Sequence, residues 1–282
     1  MPRSASTPAR ERPALGIDER RRLIRRLIAE EGRGLAEAYG FPVTNNPSRL
    51  FALLYLSMLT AGRRPVRAAA GLAEAVHSEW DSAGRMATVQ PERIADVLRR
   101  AGAGSTAAKL AGTLSALARQ VATEYHGDLR RLRQQAARQQ AARQQAARQQ
   151  AARQQAARQQ AAREPTTVRR MLTRLPGIDD RTVDLFFREV QMVWPEVGPF
   201  ADRRTLAAAA RLGLGGRLDD LTALTGGAPR RGRAEKGRAE KGRAEKGRAE
   251  KGNSEKLAWL AGALTIVDEE NRYAHARTLA HA

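Results

Sequence analysis

The sequence predicts an all-α protein of many medium helices. Apolar residues recur at i, i+3, i+4 and i+7 over most of the chain, proline, aspartate or serine stands where those stretches begin, and no segment alternates with the period of two that a strand requires. Taken in order, residues 1–16 read as a flexible basic tail. Asp18 is placed to cap a helix that carries Leu23, Ile24, Leu27 and Ile28 on one face. Pro47 opens a buried helix through Leu59, because proline at the first helical position loses an N–H that has no partner there. Pro91 opens PERIADVLRR with Ile94, Val97 and Leu98 inward. Ser105 or Thr106 is positioned to cap a long helix in which Leu110, Leu114, Leu117 and Val121 keep the helical spacing. Further on, Val168, Met171, Leu172 and Leu175 precede Pro176-Gly177, and Val183, Phe186, Phe187 and Val190 follow it, which predicts helix, tight hairpin, helix. Helices over 203–212 and 256–267 complete the set.

Two pentapeptide arrays interrupt this pattern, RQQAA over residues 133–163 and GRAEK over residues 229–253. A pentad advances 500° around a helix, a net 140°, so its residues spiral to every side and neither array builds an apolar face. Alanine, glutamine and arginine are strong helix formers, so the first array is expected as a solvated helix of about 45 Å. A glycine every fifth residue costs ~1 kcal/mol each in a helix, so the second is expected as a mobile linker. Repeat expansion in surface loops explains both arrays more simply than a dedicated role.

Net charge is +20 over 282 residues, of which six RQQAA units contribute +6 and four GRAEK units +4, leaving a body that is still basic at +10. Such a body favours a polyanionic partner, nucleic acid first among them, although membrane surfaces and acidic proteins share the chemistry. The chain has no cysteine, which excludes disulfides, zinc thiolate sites and a cysteine-held iron–sulfur cluster. Four histidines without ligand spacing give no metal site, and no cofactor is expected. The N-terminal MPRSASTPARERPALG lacks the apolar stretch of a secretory signal, and residues 50–59 are too short to span a bilayer, so no membrane partner is expected. An organellar transit peptide is the alternative to a flexible tail. A cytoplasmic, nucleoid-associated monomer is the expectation.

The hairpin bears most directly on function. Pro176 ends the first helix and Gly177 permits positive φ, so the turn can present backbone N–H groups to a phosphate oxygen. The run from Leu175 to Asp202, LPGIDDRTVDLFFREVQMVWPEVGPFAD, resembles the helix-hairpin-helix, Gly/Pro-rich loop and aspartate of the endonuclease III superfamily of base-excision DNA glycosylases. Asn46-Pro47 before the 50–59 run with Ser57, and residues 102–109 before a helix ending near His126-Gly127-Asp128, fall in that family's order. The chain is most similar to a cysteine-free actinobacterial endonuclease-like subgroup. That subgroup's LREVQ-x-VWPEV and DR-x-x-L-x-x-AARLGL appear here as residues 187–191, 193–197 and 202–214.

The resemblance implies a two-lobed fold over residues 17–282 with a DNA groove between the lobes. It assigns Asp202 as the catalytic carboxylate, Pro176, Gly177, Ile178, Arg181 and Thr182 as contacts to duplex DNA, and Leu59 as the wedge in the gap left by a flipped base. Hydrolysis of an N-glycosidic bond needs such a carboxylate beside the sugar to activate water or stabilise an oxocarbenium-like centre. Capping the 203–212 helix is the competing role for Asp202. Family members that also cleave the strand form a Schiff base through a lysine where Arg181 stands, and arginine cannot do so because it stays protonated. Asp179 replaces the second glycine of the usual hairpin and brings negative charge toward a phosphate. The implied activity is removal of a damaged base without strand cleavage. A noncatalytic DNA-binding protein on the same scaffold and a repeat-bearing interaction protein are the alternatives.

Overall fold

The computed structural model describes residues 15–31, 34–62, 64–153, 166–226 and 239–281, and among them it holds helices and turns but no strand. The expected tail lies outside them except for Leu15 and Gly16, as do the end of the first array and residues 229–238 of the second. Fourteen α-helices appear among the described residues. They are α1 (Ile17–Glu31), α2 (Leu35–Ala38), α3 (Pro47–Ala61), α4 (Val66–Glu79), α5 (Ala83–Ala87), α6 (Pro91–Arg100), α7 (Ala107–Tyr125), α8 (Leu129–Arg153), α9 (Thr166–Leu172), α10 (Asp180–Val190), α11 (Arg203–Arg211), α12 (Leu218–Thr225), α13 (Ala239–Glu269) and α14 (Tyr273–His281).

Two hydrophobic cores organise these helices. The larger gathers α3 to α7, the start of α8, and α9 and α10 around Phe51, Leu54, Leu114, Phe186, Phe187 and Trp194. The smaller joins the two ends of the described chain, since α1 packs with α11 to α14 through Leu23, Leu27, Leu212, Leu221, Leu260 and Leu264. At the centre of the first core, α3 is apolar almost all round, so every residue from Leu50 to Leu59 is buried. Asn46 caps α3 by accepting the Ser48 N–H at 2.9 Å, and Pro47 occupies its first turn.

Three sequence expectations are refined and one holds. Asp18 does not cap α1, which begins one residue earlier; Glu19 Oε2 instead accepts the Gly16 N–H at 2.7 Å, and Asp18 lies in the first turn. Thr106 stands at the start of α7, but its hydroxyl donates to Ala103 O, so it makes no cap bond. The first array is helical through Arg153, as expected. The expected GRAEK linker is helical from Ala239, because α13 runs without a break into the packed stretch around Leu257, Leu260 and Leu264. Helix propagation is far cheaper than nucleation, so a segment rich in alanine, glutamate and lysine extends a nucleus fixed by packing despite its glycines.

The helices of the two cores meet where α13 packs on α2. A Cβ added at Gly262 would stand 2.5 Å from the Leu35 N and 2.8 Å from the Gly34 Cα, so only glycine allows this approach.

Candidate functional site

Asp179 starts α10 as its N-cap, and one carboxylate oxygen accepts both the Thr182 N–H at 2.7 Å and the Thr182 hydroxyl at 2.6 Å. Burial would raise this carboxyl, but the Thr182 hydrogen bonds, with the nearby Arg181 charge, outweigh it and hold the group below the ordinary carboxylate range. The negative charge in the hairpin is therefore spent on the helix. Arg169 braces the turn from α9, pairing with Asp184 at 2.5 Å and Asp180 at 3.3 Å while its guanidinium lies 5.2 Å over the Phe187 ring.

Gly177 adopts φ 74°, and a Cβ there would lie 2.3 Å from Thr113 Cγ2 and 3.0 Å from Met58 Sδ. The turn thus rests on α7 and α3. Of the residues expected to touch DNA, Gly177 and Arg181 are exposed and Pro176 is half-buried. Ile178 is buried and donates its N–H to Leu175 O at 3.2 Å, and Thr182 is buried with its N–H and hydroxyl both donated to Asp179, so neither N–H is free. Leu59, the expected wedge, is fully buried in the first core because α3 has no solvent face at that turn. Its neighbour Thr60 reaches the surface instead.

Between helices of the two cores lies a cleft of about 580 Å³. Thr60, Arg64 and Val66 form one wall, Arg181, Asp184 and Leu185 a second, and Asp202, Arg203, Arg204 and Ala207 a third, with Arg188 and Thr265 at the back. Five arginines thus face two aspartates. Asp184 is held by Arg169 and Arg204 by Asp268 at 2.6 Å, whereas the guanidinium groups of Arg181 and Arg203 make no hydrogen bond or ion pair with a described residue. Both stand in the first turn of a helix, where positive charge opposes the helix dipole, a placement that an incoming anion relieves.

Asp202 borders this cleft but is only 6 % exposed. Its Oδ1 accepts the Thr205 N–H at 2.9 Å as the N-cap of α11, and its Oδ2 accepts from Arg188 Nη1 at 3.0 Å. The capping role is present, and both carboxylate oxygens are engaged. Arg188 is buried too, donating from Nε to Glu189 at 2.8 Å and from Nη1 to Thr265 Oγ1 at 3.1 Å. Glu189 closes the network by accepting the Ala36 N–H at 3.3 Å; burial pushes its carboxyl up against the pull of Arg188. Beside it, Gln191 binds the Phe200 backbone through both ends of its amide, fixing the loop that delivers Asp202.

Spacing along α10 missed Arg188 and Glu189, and it missed Arg64, Arg203 and Arg204 as cleft residues. A charged pair inside the apolar run LFFREV is the signal that could have found the first two, and paired arginines at a helix start the last two. Among the described residues no group of histidine and carboxylate side chains could hold a metal ion, and no helix is long and apolar enough to cross a membrane. No family model, curated protein or solved structure matches this chain.

Proposed function

We propose that this protein binds duplex DNA across the cleft between its lobes, on a helix-hairpin-helix scaffold of the endonuclease III type in which Asp202 serves as a structural lock. The observation that carries this reading is the pair of arginines without a partner among the described residues, Arg181 and Arg203, at two helix starts that converge on one basic cleft. Phosphates satisfy such groups, because they supply charge to the guanidinium and acceptors to helix N–H groups together. The binding role is favoured over base excision because Asp202 already has a backbone N–H on one oxygen and a buried guanidinium on the other. A general base or oxocarbenium stabiliser needs a lone pair aimed at the reacting carbon or its water.

One observation favours glycosylase activity as a second reading: the cleft volume lies within the range of about 300–1,000 Å³ of small-ligand pockets, and Asp202 is on its wall. In that reading Arg181, where lyases have lysine, confines the reaction to base removal. The two readings separate in one assay. The protein is incubated with duplexes carrying uracil, alkylated or oxidised bases and then treated with alkali, which breaks abasic sites. Binding without alkali-labile breaks is the expected result. Breaks that vanish in Asp202→Asn would establish the glycosylase, and a covalent adduct trapped by borohydride would contradict both.

A further inference from the structure

From Leu129 to Arg153, α8 contains seven arginines and no acidic residue. Its first turns belong to the body, with Leu129, Leu132 and Ala136 buried, Arg133 5.6 Å over the Trp194 ring, and the same guanidinium paired with Glu196. After Ala136 no described side chain of the helix is buried. From residue 137 the described side chains, up to Arg143, lie outside the core, and the helix continues to Arg153, an arm of about 25 Å at 1.5 Å per residue. Arg138 and Arg143 are exposed and make no ion pair with a described residue.

The arm is remote from the cleft. Its base adjoins Asn45, just before α3, and Glu196, just after α10, whereas the cleft takes Thr60 near the end of α3 and Arg181 at the start of α10. The two sites lie at opposite ends of the packed α3/α10 pair, separated by the length of α3, roughly 20 Å.

We infer that this arm lies in the major groove of duplex DNA as a second contact surface. The geometry selects that partner. Arginines five residues apart turn 140° at each step, so a flat anionic surface such as a membrane meets only some of them. A trough with phosphates on both walls meets them all. The major groove of B-DNA is about 12 Å wide and admits an α-helix, whose diameter with side chains is about 10–12 Å. The major groove of duplex RNA is too narrow and deep for it. Alanine and glutamine between the arginines keep the arm slim, and a helix without a fixed charged stripe reads no particular sequence. Duplex DNA is chosen because the cleft reading supplies it, yet the arm can be tested without the cleft.

The test uses the full chain, the triple variant Arg138→Gln, Arg143→Gln, Arg148→Gln, and the cleft variant Arg181→Gln, Arg203→Gln. Glutamine is the array's own residue and a strong helix former, and circular dichroism checks that the helix survives. Binding to an undamaged 30-base-pair duplex is measured across a salt series. The arm variant should flatten the slope of log K against log[salt] by about 2–3, since each phosphate contact contributes about 0.9. The native protein should also shield guanine N7, an atom of the major groove, from dimethyl sulfate, and the arm variant should not. An unchanged slope, unprotected N7, equal flattening on duplex RNA, or competition by polyglutamate as effective as by DNA at equal charge would each overturn the inference. If the cleft variant alone keeps the native slope, the cleft reading fails while the arm stands.

Discussion

At Arg188 one buried guanidinium meets acceptors from three places, Glu189 beside it, Asp202 at the start of α11 and Thr265 on α13, and so ties the first core to the second. Replacing a whole buried ion cluster by apolar groups can be neutral, but removing a single partner strands the others without compensation, at about 3–5 kcal/mol. Arg188→Met should therefore destabilise the protein by about that amount in urea unfolding, and a loss under 1 kcal/mol would show that the cluster is not a latch. The capping role of Asp202 was legible in the sequence because the residue stands at the start of a helix. Arg188 and Glu189 were not, for a physical reason. Period-3.6 reasoning gives a helix one buried face, here Val183, Phe186, Phe187 and Val190, and consigns the rest to solvent. In the structure α10 has the first core on that face and helices of the second core on the other, so residues outside the apolar stripe are buried as well. Leu59 escaped the same reasoning, since a helix buried all round offers no wedge.

Helical elements with a fixed apolar spacing, α6, α7 and α10 among them, were legible because each position is decided by its neighbours three and four away. The arrays mark the edge of that legibility. RQQAA and GRAEK have no apolar face, so their state depends on whether a packed helix adjoins them: α8 is anchored by Leu129 and Leu132, and α13 by its stretch from Leu257 to Val267. Sequence alone set the array's start at Arg133, whereas the buried Ala136 places the edge of the folded body four residues later. The boundary makes a prediction. Replacing residues 137–163 by about six glycine and serine residues, a common length for a connection between helices, should leave the melting temperature within a few degrees, because no described side chain of 137–143 is buried. A replacement that begins at Gln134 removes Ala136 from the core and should lower it further. A collapse of helicity throughout the protein after the shorter replacement would make the array part of the fold.

For the whole molecule, acid stability follows from which carboxylates are held and how. Asp268 joins α11 to α13 and α14: it accepts from Arg204 at 2.6 Å, Arg211 at 3.0 Å and the Tyr273 hydroxyl at 2.5 Å. Burial would raise its carboxyl, but the Tyr273 and Arg204 hydrogen bonds with the two arginine charges bring it below its ordinary value near 3.8. Asp128 and Asp179 are lowered in the same way by Arg130 and Thr182, against their own burial. A carboxylate lowered on folding contributes stability that is full above its unfolded value and is lost as pH falls through the folded one. Glu31 and Glu189 run the other way: burial raises them, so the folded state takes up their protons more readily and acidification through the raised value favours it. The sum has both signs, and a single variant isolates one of them. Asp268→Asn should lower stability at pH 7 and show a shallower decline than the native protein between about pH 4 and pH 2, so that the two curves converge in acid. Urea unfolding at half-unit steps measures both. Parallel curves down to pH 2 would mean that Asp268 is not held by its partners in solution, and with it the clamp of α11 on α13 and α14 would fail.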